Sequence, residues 1–543
     1  MAAFDIHTLE ILGLFLLIVV VFFAGLAKRL QIPYPILLVL AGLAISFVPH
    51  VPRIPLNPQI VFLVFLPPLL YASAWQTSWR EFRRNIVSIS MLATGLVLFT
   101  VLGIAFFADR FITALDFRSG FLLGAVVAAT DAVAAGSIAR TLGISPRLTG
   151  LIEGESMLND ATGLLALEFG LALLLGGGTI SIHEGVLRLL WLIVGGLGAG
   201  LLLGSIMAVV ERWISDGPLE MATSIIIPYV AYLVADEIRA SGVLSVIACG
   251  LFLSRRSASF LNPTARIELM SAWKALDFIL NGVIFLLIGL QLPYILAGIH
   301  EYSAWTLLLY GLSFSLVLIV LRMAWVFPGA YVSFWIRRHI FRQDAPNPSA
   351  KSTFVLGWAG MRGVLALAAA LSLPETLSDG RAFAQRSLIL FLTFSIILVT
   401  LVGQGLTLPP LIRYLGLSGN TELAEEERTA RLAALTNAID YLQQRRASAP
   451  ASEIHDVDDI LDRYQHRLDA ISVPAPTSPA ETHPDHIQAA HRHLLRNQLV
   501  LEAVAVERRT LLNFQEDGTI GDEVLRNLER ELDLTESRYE SRN

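Results

Sequence analysis

An all-α polytopic membrane protein is the fold class this sequence predicts, with about thirteen transmembrane helices and a small helical C-terminal domain. Three observations predict it. Apolar residues make up 54% of the 543 and charged residues only 16%, where a soluble chain carries about a quarter. Apolar runs of 15 to 25 residues recur from Ile11 to Ile412. The charge is also split along the chain. Residues 1–420 hold 26 Lys+Arg against 22 Asp+Glu, and residues 421–543 hold 14 against 24, so +4 and −10 give the whole chain's −6. These features exclude a soluble enzyme, a disordered chain and a collagen-like chain. The acidic tail argues against nucleic-acid binding and against docking of the tail on anionic lipid. Cys249 stands alone in an apolar run and allows no intramolecular disulfide or Cys-rich metal site, so a packed thiol is expected.

The first run, Ile11–Ala27, has Asp5 and Glu10 before it and Lys28 and Arg29 after it. A signal peptide has the opposite flanks, so a retained membrane helix ending in the cytoplasm is expected. The spans are placed at 9–27, 33–49, 57–74, 85–107, 119–139, 148–175, 186–210, 220–235, 241–254, 268–290, 303–326, 353–373 and 387–412. With the N-terminus outside, the inside segments before residue 421 hold 16 Lys/Arg, the outside segments hold 6, and Arg188, Lys274, Arg322 and Arg362 fall within spans. That bias supports the orientation and puts the C-terminus inside. Pro67-Pro68 is expected to bend the third span, and Lys274 and Asp277 share a face and are expected to neutralise each other.

The sequence thus divides into a membrane domain over 1–414 and an acidic helical cytoplasmic domain over 415–543. Glu422–Arg446 carries an apolar stripe of Leu432, Leu435, Ile439 and Leu442. Residues 472–484 hold four prolines and read as a linker. His486–Phe514 is helical again, and Thr519 is placed to cap Asp522–Leu534. His483, His486, His491 and His493 have a spacing a metal could use, but a solvated helix start is the expected reading.

Function is read from polar groups where burial makes them expensive. The fifth span contains Ala129-Thr130-Asp131-Ala132. Thr and Asp offer the backbone competing hydrogen bonds, which suits a broken helix facing an ion cavity, or an Asp bonded into a packed interface. The sixth span opens Glu153-Gly154-Glu155-Ser156-Met157-Leu158-Asn159-Asp160. Glu155 and Asn159 share one face, and Ser156 and Asp160 share the next, about 100° round. Such a stripe of oxygens holds a small hard cation or a proton, and one carboxylate serving both makes them compete. Glu168, two turns on, is weaker evidence.

Arg322 in the eleventh span cannot discard its charge and demands a partner, for which Glu155 is the best acidic candidate; the alternative is snorkelling to the surface. The twelfth span holds Gly357-Trp358-Ala359-Gly360-Met361-Arg362-Gly363, which allows a second break carrying a fixed positive charge, or a close-packing small-residue surface. The fifth span runs inward and the twelfth outward, seven spans apart. That is the geometry of two inverted six-helix repeats whose discontinuous helices, 5 and 12, meet at the substrate site.

The segments Leu66–Tyr71, Ala129–Ala135, Gly154–Ala161 and Gly357–Gly363 resemble the monovalent cation/proton antiporter family, the sodium/proton exchangers, in its bacterial form with a C-terminal extension. The resemblance spans residues 10–412. It implies that Asp160 alternately binds cation and proton, with the transported cation as its only metal. Asn159 would hold the local geometry where electrogenic members have a second aspartate, which implies electroneutral exchange. Thr130 and Asp131 would lie at the break, with Thr130 and Ser156 near the cation. Glu155 and Arg322 would form a structural pair, and Arg362 would stabilise the break in the twelfth helix. Family members are homodimers whose core domain moves the site like an elevator. Two departures stand out: Ala132 where many members have Pro, and Ala72-Ser73 where many have an acidic residue.

The function expected is secondary exchange of Na+ or Li+ for H+, with K+/H+ exchange by the same mechanism as the alternative, no cofactor and no covalent chemistry. No Gly-x-x-x-x-Gly-Lys-Ser/Thr loop provides for ATP drive. A channel would show unsaturable flux uncoupled from protons, and the sequence has no Thr-Val-Gly-Tyr-Gly filter run. A sensor or scaffold acting through the tail would survive Asp160→Asn and fail on deletion of 421–543.

Overall fold

A computed structural model describes residues 6–49, 56–175, 182–214, 216–260, 263–299, 302–343, 347–377, 381–419, 422–450, 453–472, 484–517, 525, 528–529 and 532–536. The chain forms two compact units, Met1–Asn420 and Thr421–Asn543. The expected linker over 472–484 lies almost wholly outside the described residues, as do His483 and the expected cap at Thr519.

The first unit is all α. Its helices are α1 (Ile6–Leu30), α2 (Tyr34–Ser46), α3 (Pro58–Gln76), α4 (Trp79–Phe111), α5 (Phe117–Ala128 and Ala132–Thr141), α6 (Pro146–Leu174) and α7 (Ile182–Val210). They continue with α8 (Gly217–Glu237), α9 (Gly242–Phe260), α10 (Pro263–Leu290), α11 (Ala304–His339), α12 (Ala350–Trp358 and Val364–Leu371) and α13 (Arg386–Tyr414). Ten are long and apolar enough to cross a membrane. The other three of the expected thirteen miss that criterion for visible reasons. α2 has only 13 residues, α9 runs into Ser254-Arg255-Arg256, and α12 is broken into pieces of 9 and 8.

Local chemistry explains the starts and bends. Ser78 accepts from the Glu81 amide at 3.4 Å and caps α4, while Asp116 accepts from the Ser119 amide at 3.0 Å and caps α5. Pro146 opens α6, where its missing N–H costs nothing. Pro67 and Pro68 have no amide N–H to give the carbonyls one turn earlier; α3 forms a π turn over Val61–Phe65, and Val64 O accepts from the Tyr229 hydroxyl at 3.1 Å. α2 and α10 cross at backbone contact: a Cβ on Gly42 would meet the Leu286 carbonyl, and one on Gly289 would meet the Val39 carbonyl. The core between helices buries Ile36, Leu122, Leu123, Phe285, Phe314 and Ile396, while Val194, Leu202, Ile226 and Leu316 turn outward.

The second unit has α14 (Glu422–Ser448), α15 (Ile454–Ser472) and α16 (Pro484–Glu516). α14 and α15 form an antiparallel hairpin, with Arg428 Nε donating to the Ile471 carbonyl at 3.2 Å near one end and Arg446 gripping Asp458 at 2.5 Å near the other. The hydrogen bond from Arg446 holds the Asp458 carboxyl below its ordinary range. Leu435 and Ile439 of the expected stripe are buried.

Candidate functional site

The two interrupted helices meet. α5 unwinds after Ala128, leaves Thr130 and Asp131 extended, and restarts at Ala132 with Asp131 accepting from the Val133 amide at 2.8 Å. Ser156 of α6 stitches both edges of this gap. Its hydroxyl donates to the Thr130 carbonyl at 2.8 Å and accepts from the Ala132 amide at 3.1 Å, replacing bonds the helix gave up. α12 unwinds between Trp358 and Val364, and the Asp131 amide donates to the Met361 carbonyl at 2.8 Å, joining the two gaps. The approach needs the glycines. A Cβ on Gly360 would overlap the Arg322 side chain, and one on Gly363 would overlap Asp131.

Two arginines serve the carbonyl ends of the half-helices, where the helix dipole favours positive charge. Arg322 donates from Nε to Gly357 O at 2.9 Å and from Nη2 to Leu356 O at 3.0 Å. Arg362 donates from Nε to Val127 O at 2.8 Å and from Nη1 to Gly360 O, and its own amide reaches Thr400 Oγ1 at 3.1 Å. Arg362 thus binds a carbonyl at the end of the first half of α5 and one within the α12 gap, and no carboxylate pairs with it among the described residues.

Arg322 also grips Glu155 through both nitrogens, Nη1 to Oε1 and Nη2 to Oε2 at 2.9 Å, with both side chains buried. The network continues into the first break. Thr130 Oγ1 donates to Glu155 Oε1 at 3.3 Å and accepts from Asn159 Nδ2 at 2.6 Å. Asn159 therefore stands behind the site, on the Arg322 side of α6, and does not line the cavity described next. Its position four residues from Glu155 puts it on that face.

A cavity of about 310 Å³ opens on the other face of α6. Thr130, Asp131, Ser156 and Asp160 line it, together with Tyr34 of α2 and Ser73 of α3. Asp160 is buried and, among the described residues, forms no hydrogen bond or ion pair with the protein. A carboxylate held this way, beside hydroxyl and carbonyl oxygens, has its lone pairs available for an incoming cation or proton.

Four cavity residues are not assigned to the site by the sequence, although two of them, Glu153 and Asp277, are noted there for other reasons. Arg140 and Glu153 pair at 2.5 Å across the hairpin between α5 and α6. Their signal was opposite charge at facing helix ends. Asp277 and Asn281 of α10 also line the cavity and bond to each other at 2.9 Å. The expected Lys274–Asp277 pair does not form. Asn281, a full turn along, takes the Asp277 oxygen, and Lys274 is exposed. The cavity that lacks an acid at Ala72-Ser73 receives one from α10.

Residues 16–414 match the family described as "Sodium/hydrogen exchanger, transmembrane". The chain belongs to the sodium/hydrogen exchanger family. It is 29% identical over 541 residues to an uncharacterized Na(+)/H(+) exchanger of Escherichia coli K12, covering 95% of this chain and 96% of that one. It is 32% identical over 425 residues to the Na(+)/H(+) antiporter ApNhaP of Aphanothece halophytica, covering 78% and 77%. Its fold is similar to that of the sodium proton antiporter MjNhaP1 from Methanocaldococcus jannaschii, with a TM-score of 0.58 at 22% identity, covering 75% of this chain and 98% of that one. As a member of this exchanger family the chain is a multi-pass membrane transporter that couples a monovalent cation to protons.

Proposed function

We propose that this exchanger swaps one Na+ or Li+ for one H+, with Asp160 binding each in turn. The observation that carries the reading is the Asp160 carboxylate, unbonded to protein and facing a cavity between two broken helices. Thr130, Asp131 and Ser156 supply the oxygens around the cation, and Asn159 fixes Thr130 from behind. A single carboxylate that must lose one ion before taking the other gives one-for-one, electroneutral exchange. The Glu155–Arg322 pair and Arg362 are structural: they hold the two gaps in register while the carboxylate changes its charge.

On this reading all thirteen helices cross the membrane with the N-terminus outside. α5 and α12 are then equivalent elements of two inverted repeats, a relation supported by the hydrogen bond between their gaps. Domain 1–414 carries transport, and domain 415–543 lies in the cytoplasm. The cavity is then open to the cytoplasm, because Ser137, Arg140, Glu153 and Gln76 line it from the cytoplasmic helix ends. The protein works as a homodimer in which the core moves against the dimerising helices.

The test is proton flux in sealed proteoliposomes after pulses of Na+, Li+ or K+, with the membrane potential clamped at several values. Flux driven by Na+ or Li+, independent of the clamp and absent in Asp160→Asn, is the expected result. Flux that follows the clamp overturns the stoichiometry, and undiminished flux in Asp160→Asn overturns the mechanism.

A further inference from the structure

On the far side of α6 from the cation cavity lies a second, larger space of about 580 Å³. One wall is α4 and α6, with Phe82, Ile86, Leu158 and Leu165; the other is α7 and α9, with Leu197, Leu201, Leu244 and Ala248. Leu158 stands about 160° round the helix from Asp160, so α6 separates the two spaces. Well-packed interiors leave few voids of this size, and a water-filled one needs polar partners. Here such partners are few, and Ser90 and Thr94 reach the space from exposed positions. Thr162 spends its hydroxyl on the Ala93 carbonyl at 2.5 Å, and Ser241 accepts from the Leu244 amide at 3.2 Å. Leu197 and Leu201 are 37% and 47% exposed, so the space opens sideways along α7.

Its dimensions and its charged end identify the occupant. From Leu244 to Arg255 α9 advances about 16 Å, close to the ~15 Å of one hydrocarbon leaflet. At the Arg255 end the guanidinium lies over the Trp79 ring, 6.0 Å from its centroid, and Trp79 is partly exposed as interfacial aromatics are. Among the described residues no carboxylate pairs with Arg255. Arg83 and Arg256 stand close by in sequence to Trp79 and Arg255 and are exposed, adding positive charge at the same end.

We propose that this slot holds one acyl chain of an anionic phospholipid, with Arg255 taking the phosphate. On the orientation proposed above the lipid comes from the cytoplasmic leaflet. The chain fills apolar volume between α6 and the α7–α9 wall, and the headgroup meets a cation that the protein leaves unneutralised. The slot lies on the back of the helix that carries Asp160, so its occupant sits where it can ease or resist movement of that helix.

The test uses the full-length protein, delipidated and then mixed with phosphatidylglycerol or phosphatidylcholine bearing identical chains, with retained lipid read by native mass spectrometry. The wild type should retain phosphatidylglycerol about fivefold over phosphatidylcholine, the ratio one arginine near the headgroup gives. Arg255→Gln should lose that preference while still holding a chain. Ala248→Phe, which fills the slot, should lose both lipids. A second readout needs no substitution: phosphatidylglycerol brominated on its chains should quench tryptophan fluorescence more than the matching phosphatidylcholine in mixed bilayers. Equal quenching, or a preference untouched by Arg255→Gln, overturns the proposal. So does cross-linking of Leu201→Cys between two copies that added phosphatidylglycerol does not reduce, which would assign this face to a second copy of the chain.

Discussion

Glu155 and Asp160 stand five residues apart on one helix, and both are buried, at 1% and 8% exposure. Burial does not distinguish them; their partners do. Glu155 receives a forked arginine and a threonine hydroxyl, so its charge is fully answered. Asp160 receives nothing from the protein among the described residues and faces open volume. A carboxylate that accepts three hydrogen bonds, two of them from one arginine, can brace two broken helices. A carboxylate left with its lone pairs open can take and release an ion. The two carboxylates lie about 140° apart on one helix, so on the mechanism proposed above the brace remains when the site changes charge.

The sharpest test of that difference is a pair of substitutions with opposite signatures. Asp160→Asn should reduce exchange to the level of protein-free vesicles while leaving expression and thermal stability near wild type, since no protein bond is lost. Glu155→Ala should do the reverse, cutting folded yield by leaving Arg322 buried and unpaired, a loss of about 3–5 kcal/mol. Fluorescence-detected gel filtration and proteoliposome flux read the two separately. If Asp160→Asn loses yield as badly as Glu155→Ala, the division of labour fails. Thr130→Val should fall between them. It strands Asn159 Nδ2 and removes one cavity oxygen, at a cost of about 1–3 kcal/mol in stability together with a raised apparent KM for the cation. Competition at one carboxylate gives a further check: the apparent KM for Na+ should rise as pH falls, and a KM independent of pH breaks the shared site.

Much of this was legible in the sequence, because the membrane forces its signals into the open. A Thr-Asp pair amid alanines, or three glycines around an arginine, has few uses inside an apolar span other than to end a helix. Both breaks are found at those residues. The partnership of Glu155 with Arg322, 167 positions away, was legible only because each is expensive alone. What was hidden depended on rotamer choice and helix ends. Lys274 and Asp277 share a face, yet spacing could not say that Asn281 would take the aspartate first. Arg140 and Glu153 meet because a short turn folds α5 against α6, an angle that linear spacing does not contain. Spans four and eleven were drawn as 85–107 and 303–326, but the helices run Trp79–Phe111 and Ala304–His339. Hydropathy marks where the hydrocarbon ends, whereas the backbone hydrogen bonding continues past it into the charged turns.

The smallest predicted effect concerns Asp277, which lines the same cavity as Asp131, Glu153 and Asp160. Unlike Asp160 it has a protein partner, Asn281, and unlike Glu155 it has no arginine bonded to it among the described residues. It stands between the two types, and its contribution should be long-range attraction of the entering cation. Such attraction falls off over a Debye length of about 8 Å at physiological ionic strength. Asp277→Asn should therefore raise the apparent KM for Na+ by roughly two- to fivefold at low salt, in line with ~1 kcal/mol or less for a half-buried charge lining the cavity, and leave the maximal rate unchanged. Raising ionic strength with choline chloride should bring wild type and variant together. A fall in maximal rate that salt does not erase would move Asp277 into the same class as Asp160, and the cavity would then hold two exchanging carboxylates where the electroneutral reading allows one.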